Sequence, residues 1–367
     1  SRLRKHLNEH SALFSRNDLD MGCSTSTKHK IRLREDKPFR ERSRRIAPGD
    51  LEDLRKHLEE LKAAGIIKES RSPYASPIVV VRKKNGSIRM CVDYRTLNQR
   101  TIPDQYTTPR IEDALNCLVG SKWFSVLDLR IGRTLEEHEQ RLLKVFDRLE
   151  KEGLKLSPEK CQFCQPSVNY VGHVVSAEGI ATDPSKIEAV SSWPKPRTIT
   201  ELRSFLGFCG YYRRFVKGFS KVAQPLNQLL QSNTEVEGSD RDILAKRLRE
   251  ECDKAFDQLK YCLTHAPVLA YADATKPYTL HIDASREGLG GILCQEYNKE
   301  LRPVAFISRS LSPSERNYPA HKLEFLALKW AVVDKLHEYL YGAEFEVQTD
   351  NNPLTYILTT AKLDATG

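Results

Sequence analysis

No run of apolar residues in this chain approaches the length needed to cross a bilayer, and Ser1-Arg2-Leu3-Arg4-Lys5-His6 lead into no apolar signal core. A soluble, intracellular protein that is not secreted is expected. Cysteine is present without a framework: the nine are odd in number and scattered, which argues against a disulfide-stapled scaffold and for free thiols in a reducing compartment. Cys161 and Cys164 form one Cys-x-x-Cys with no second pair, too little for the usual zinc spacing. Acids are outnumbered, 49 against 58 Lys and Arg, for a net charge of +9. That balance suits a protein that holds a polyanion, although a basic solvated surface gives the same count. One small absence matters more than these: the dipeptide Asp-Asp occurs nowhere in the chain.

The 367 residues are enough for two or three domains, each with its own core. The first part, to about residue 70, is very basic around Lys28 to Arg45, and reads equally as a solvated arm or a phosphate-contacting one. Leu51, Leu54, Leu58 and Leu61, at spacings of three and four, predict a helix from Pro48 to Ala64 stopped by Gly65. Two apolar runs, Ile78 to Val81 and Ile88 to Val92, flank Lys83-Lys84-Asn85-Gly86; Asn-Gly in that setting predicts a hairpin. The strand Phe124 to Leu129 reaches the acid Asp128, and a helix with Leu135, Leu142, Leu143, Phe146 and Leu149 on one stripe then runs to Gly153. Val168 to Ile180 alternates like a strand pair turned at Glu178-Gly179. Pro184 to about Leu230 reads as helical, punctuated by Pro194, Pro196 and Pro225; Ser232 to Asp242 reads as a polar loop, and Ala245 to Leu263 as a helix. After Pro267 the pattern changes to three strands and a long helix.

Three acids in that last part stand in a telling order. Asp283 closes the alternating strand from Tyr278, Glu324 lies in the helix Leu323 to Val333, and Asp350 closes the alternating strand from Phe345. Singly, each has a plain explanation: an Asx turn, a helix-start acid and an N-cap. The helix is apolar nearly all round, and a buried carboxylate needs a partner or a metal.

Longer motifs tie these pieces together. Ser72-Pro73-Tyr74-Ala75-Ser76-Pro77, Cys91-Val92-Asp93-Tyr94-Arg95-Thr96-Leu97-Asn98, Gly153-Leu154-Lys155-Leu156-Ser157-Pro158-Glu159-Lys160-Cys161, Tyr170-Val171-Gly172-His173 and Gly210-Tyr211-Tyr212-Arg213-Arg214-Phe215 occur in that order. Taken together, they resemble the reverse transcriptase and ribonuclease H of gypsy-type LTR retrotransposons, part of a Pol polyprotein, over essentially the whole chain. The resemblance implies an α+β and α/β multidomain protein: a right-hand reverse transcriptase fold of fingers, palm, thumb and connection, then a ribonuclease H-like mixed sheet with helices. On that basis residues 1–70 are a basic arm and lead-in helix, 71–183 fingers and palm, 184–270 thumb and connection, and 271–367 the ribonuclease H-like domain.

The resemblance also implies roles. Asp128 matches the first metal-binding aspartate of the polymerase, otherwise an ordinary strand-end acid. Lys83 or Lys84, with Arg89 across the hairpin, match residues that hold a nucleoside triphosphate, where Arg binds as a fork and Lys as a point charge. An exposed hairpin without such a role has the same composition. Lys160 matches a general acid for pyrophosphate. Gly172 and His173 match a loop that grips a primer end, otherwise a plain turn. Arg213, Arg214 and Lys217 are the nucleic-acid contact candidates of a helical thumb whose aromatics are mostly core. Asp283, Glu324 and Asp350 match the ribonuclease H carboxylates, which imply two-metal hydrolysis with Mg²⁺ or Mn²⁺ on an RNA·DNA hybrid.

The chain departs from the pattern twice. The family's Tyr-x-Asp-Asp segment belongs between Leu129 and Leu135, and without it Asp128 lacks its metal-binding partners, so the palm is incomplete and polymerase activity is expected to be lost. The residues Lys362 to Gly367 stand where the family continues into a last strand, a histidine and a fourth aspartate, so ribonuclease H activity is expected to be weakened. The other reading is a non-catalytic nucleic-acid-binding remnant; a third is that a palm lacking central strands forms no stable fold. Template-primer or hybrid nucleic acid is the expected partner, with no membrane, in the cytoplasm and in particles.

Overall fold

The computed structural model describes residues 2–231 and 250–349, apart from Asp18, Thr25, Thr27, His29, Lys84, Asn85, Thr108, Pro109, Asp128, Leu129 and Arg133. Along the chain come α1 (Arg2–Glu9), α2 (Pro48–Ala63), β1 (Ile78–Arg82), β2 (Ile88–Val92), α3 (Arg95–Arg100) and α4 (Ile111–Asn116). Next are β3 (Trp123–Val126), β4 (Arg130–Gly132), α5 (Leu135–Lys151), β5 (Gln162–Gln165), β6 (Ser167–Tyr170), β7 (His173–Ser176) and β8 (Gly179–Thr182). Four helices follow: α6 (Pro184–Ser191), α7 (Ile199–Tyr211), α8 (Phe219–Gln231) and α9 (Glu250–Thr264). The last part holds β9 (Tyr278–Ser285), β10 (Gly288–Tyr297), β11 (Glu300–Ser310), α10 (Ala320–Lys329), a π-helical stretch Trp330–Lys335, α11 (His337–Leu340) and β12 (Phe345–Gln348). Contacts divide the chain into two units, Ser1–Pro109 with Glu139–Cys161, and Arg110–His138 with Gln162–Gly367.

In the first unit, α2 starts with Pro48, whose fixed φ suits a first helical turn, and with Asp50, favoured there by the helix dipole. It buries Leu54 and Leu61, as the leucine spacing predicts. The expected hairpin is there: β1 and β2 pair antiparallel from Ile78↔Val92 to Arg82↔Ile88. Arg82 fastens it to α2, its guanidinium reaching Asp50 at 2.7 Å and Asp53 at 2.9 Å. Elsewhere in the unit the buried ring of Phe146 packs under His10 and Phe14.

The second unit opens with a small sheet in the order β4-β3-β5. Phe124 and Ser125 of β3 are fully buried, and Ser125 Oγ hydrogen-bonds His138 Nε2 at 2.8 Å and accepts from the Cys164 amide at 3.0 Å. The sequence that follows is a three-stranded meander, β6-β7-β8, where the pattern predicts a pair. The extra turn is Val171-Gly172, with φ of 47° and 73°. A β-branched residue in that region is unfavourable, so periodicity alone does not announce the turn.

Helices α6 and α7 begin at side-chain caps, Asp183 accepting from the Ser185 amide and Thr198 from the Glu201 amide. Leu202, Phe205 and Cys209 of α7 share a buried core with Phe256 and Leu259 of α9. Pro225, expected to interrupt, lies inside α8. The expected polar loop at Ser232 to Asp242, and the start of the helix from Ala245, lie outside the described residues.

The large sheet runs β11-β10-β9-β12, with β12 parallel to β9 and the other pairs antiparallel. Tyr278, Leu280 and Ile282 of β9 form one buried core with Leu323 and Ala327 of α10 and Ala331 beyond it. The strand runs on to Ser285, so Asp283 lies within it and does not close it. The predicted helix Leu323 to Val333 starts three residues earlier, at Ala320, and turns π-helical at Trp330.

Candidate functional site

Alternation along β9 puts Leu280 and Ile282 into the core and leaves Asp283 exposed, with His281 on the same side of the strand. Asp283 pairs in register with Gly290 of β10, and His281 with Gln348 of β12. Gly290 puts no side chain onto this ground beside Asp283, whereas Gly291, opposite the buried Ile282, stands where a Cβ would be crowded by the His281 carbonyl at 3.0 Å and the Ile307 side chain at 3.2 Å. The result is a cleft of about 480 Å³, lined by His281, Asp283, Gly290, Gly291, Gln348 and Thr349, and by Lys217 and Gly218 from the segment leading into α8. Beside it Lys221 forms an ion pair with Glu287 at 2.7 Å.

Glu324 is 5 % exposed on α10, which packs against β9, and it does not line the cleft. Asp350 lies outside the described residues. Among the described residues no three His, Cys, Asp or Glu side chains gather as a metal site. The cleft therefore brings Asp283 together with Lys217, and not with Glu324.

The other sequence candidates are dispersed. Asp128 and Lys84 lie outside the described residues. In the first unit Lys83 and Arg89 are exposed at the hairpin, where the Lys83 amide donates to the Ser87 carbonyl and Arg89 pairs with Val81. Lys160 is exposed on a short 3₁₀ turn. In the second unit His173 is 2 % exposed, its Nδ1 2.9 Å from the Val171 carbonyl and its ring stacked on Phe215 beside Tyr211 and Tyr212. Burial lowers its pKa below the ordinary imidazole value. Gly172 is held in the adjoining turn, whose carbonyls accept from two hydroxyls, Tyr211 to Val171 at 2.5 Å and Tyr212 to Gly172 at 2.7 Å. Burial pushes the Tyr212 hydroxyl up to about 12.

Arg213 and Arg214 point their forks at the sheet. Arg213 donates to the Ser308 carbonyl at 2.5 Å and lies over the Phe219 ring; Arg214, 9 % exposed, donates to the Val304 carbonyl at 3.3 Å. Sequence reasoning did not single out His281, Gln348 or Thr349. The first was within reach, since neighbours on either side of Ile282 share a strand face. The other two depend on a parallel pairing between distant segments.

Residues 248–347 match a family model described as the RNase H-like domain found in reverse transcriptase. The Pol polyprotein of the Drosophila melanogaster transposon opus is 31% identical over 436 residues, covering 99% of this chain and 43% of that protein. The corresponding protein of the Drosophila transposon gypsy is 31% identical over 430 residues, with 96% and 41% covered. The Tf2-3 polyprotein of Schizosaccharomyces pombe is 26% identical, with 84% and 28% covered. The chain thus spans less than half the length of these relatives. The opus match extends over 436 residues against the 367 of this chain, so the relative carries residues within the matched region that this chain lacks. The foamy viral protease-reverse transcriptase dRH, solved in complex with double-stranded DNA, shares the fold with a TM-score of 0.84 at 19% identity, covering 100% of this chain and 75% of that one. The foamy viral protein in complex with an RNA/DNA hybrid gives 0.74 at 19%, with 100% and 57% covered. Together these matches support a fragment of a gypsy-type retrotransposon Pol polyprotein, from its reverse transcriptase and ribonuclease H portion.

Proposed function

We infer that the chain is the remnant of a two-activity enzyme whose surviving chemistry is hydrolysis of the RNA strand of an RNA·DNA hybrid. The observation that carries this is Asp283, an exposed carboxylate at an open cleft on the sheet of the RNase H-like region. Its oxygens are the donor type that Mg²⁺ or Mn²⁺ takes. Glu324 and Asp350 are the proposed remaining ligands, the first close in the fold by the packing of α10 on β9, the second two residues beyond Gln348 in sequence. When bound, the cations would activate a water and stabilise the leaving 3′ oxygen. The chain's own part is to offer Asp283 to the cleft, leave the ground beside it free of a side chain at Gly290 and hold the hybrid by its backbone.

The polymerase half, read as fingers, incomplete palm and thumb, is proposed to be inactive. Lys83, Lys84, Arg89 and Lys160 would still be available to a triphosphate, but Asp128 has no Asp-Asp partner in the sequence. The 367-residue chain with a primed template and nucleotides is expected to give no incorporation, and template-directed extension would overturn that. In the same preparation, Mg²⁺- or Mn²⁺-dependent hybrid cleavage is expected to be weak and to vanish in Glu324→Gln. The separation of Asp283 in the cleft from Glu324 outside its lining favours a second reading, a protein that binds nucleic acid without cutting it. Binding without cleavage by the unaltered chain would select that reading.

A further inference from the structure

We propose that Lys217 is a phosphodiester contact of the Asp283 cleft, so that the segment leading into α8 supplies part of the binding surface for a nucleic-acid duplex. The inference rests on reading the cleft as a nucleic-acid site. Four cations lie between residues 213 and 221, and three are committed elsewhere. Arg213 and Arg214 donate to carbonyls of β11, and Lys221 pairs with Glu287. Lys217 is exposed, has no ion-pair partner among the described residues, and borders the cleft that Asp283 enters.

The chemistry on the two sides is complementary. A phosphodiester entering the cleft is repelled by the Asp283 carboxylate unless a cation meets it, and an ammonium on a flexible stem can follow a backbone phosphate as a point charge. Gly218 leaves the neighbouring wall low, with open space where a Cβ would stand, so the strand is not excluded sterically. Lys217 lies far from Asp283 in sequence, so the contact would survive only where the helical segment and the sheet keep their present packing, α8 and the preceding 3₁₀ turn both resting on β11.

The test uses the full chain and a labelled RNA·DNA hybrid in EDTA, where cleavage cannot contribute, with binding followed by anisotropy across a KCl series. Lys217→Ala is expected to reduce the slope of log K against log [KCl] by about one unit and to weaken binding roughly fivefold to tenfold near 0.1 M salt, whereas Lys217→Arg retains both. Equal thermal midpoints for the variants exclude a folding effect, as expected for an exposed side chain. Unchanged slope and affinity in Lys217→Ala overturn the contact, as does a slope change shared by Lys217→Arg. Cleavage is scored separately: an unaltered chain that binds through Lys217 but never cuts removes the hydrolysis reading and leaves this one standing. Cleavage that is intact while binding ignores Lys217 does the reverse.

Discussion

Strands β3 and β9 were each expected to carry an aspartate to a metal, and they are built to different standards. β9 has eight residues, pairs in unbroken register with β10 through eight positions, and gains β12 on its other side through four more. β3 has four residues, three pairs with β4, and two with β5 across a register shift. What holds β3 is the buried hydrogen-bond set of Ser125, His138 and the Cys164 amide. A strand can thus be packed and hydrogen-bonded by its own interior residues, whatever becomes of the acid that follows it in the sequence.

Substitutions can break that comparison, the largest effects first. Phe124→Ala in β3 is expected to cost about 3–5 kcal/mol and Leu280→Ala in β9 about 2–5 kcal/mol, both being fully buried. Urea denaturation checks them, and a Phe124 variant that loses under ~1 kcal/mol would show that the short sheet contributes little to stability. Ser125→Ala, which removes one partner from a buried pair, is expected to cost about 1–3 kcal/mol by the same measurement. Glu315 probes the larger sheet by pH. Its carboxylate makes a two-pronged contact with Arg309, which lowers its pKa from the ordinary 4.5 to about 2. A depressed carboxylate stabilises above its unfolded value, and that stabilisation fades as pH falls through the folded one. Glu315→Gln should therefore cost about 1–2 kcal/mol at pH 7 and progressively less between pH 4.5 and pH 2, read as a shrinking gap between the two denaturation midpoints. The smallest effect is in the meander between them: Val171→Gly, which relieves a φ of 47°, should stabilise by about 1 kcal/mol, visible as a small rise in thermal midpoint.

The long amphipathic helices α2 and α5 and the β1–β2 hairpin were legible in the sequence because each has a local signal, a leucine stripe or an Asn-Gly turn. The meander's first turn was marked by the Gly172-His173 motif but not by periodicity, because Val171 occupies a conformation its side chain disfavours and the hydroxyls of Tyr211, at the end of α7, and Tyr212, just past it, hold it there. The π-helical stretch after α10 has no local mark in Trp330-Ala331-Val332-Val333. At the site, Asp283 and its strand were readable from alternation. The inward aim of Arg213 and Arg214 was not: their acceptors are carbonyls some ninety residues away, and a run of basic residues looks the same whether it faces water or protein.

Those same two arginines bear on how the molecule behaves in company. β11 is the outer strand of its sheet, and an outer strand offers its free backbone groups to any passing chain. Here the Val304 and Ser308 carbonyls accept from Arg214 and Arg213, the Pro303 carbonyl accepts from the Ala270 amide, and proline at 303 has no N–H to offer. A second molecule seeking to extend the sheet on that flank would first have to displace two guanidinium groups. The edge is sealed from within, a protection against strand-to-strand aggregation.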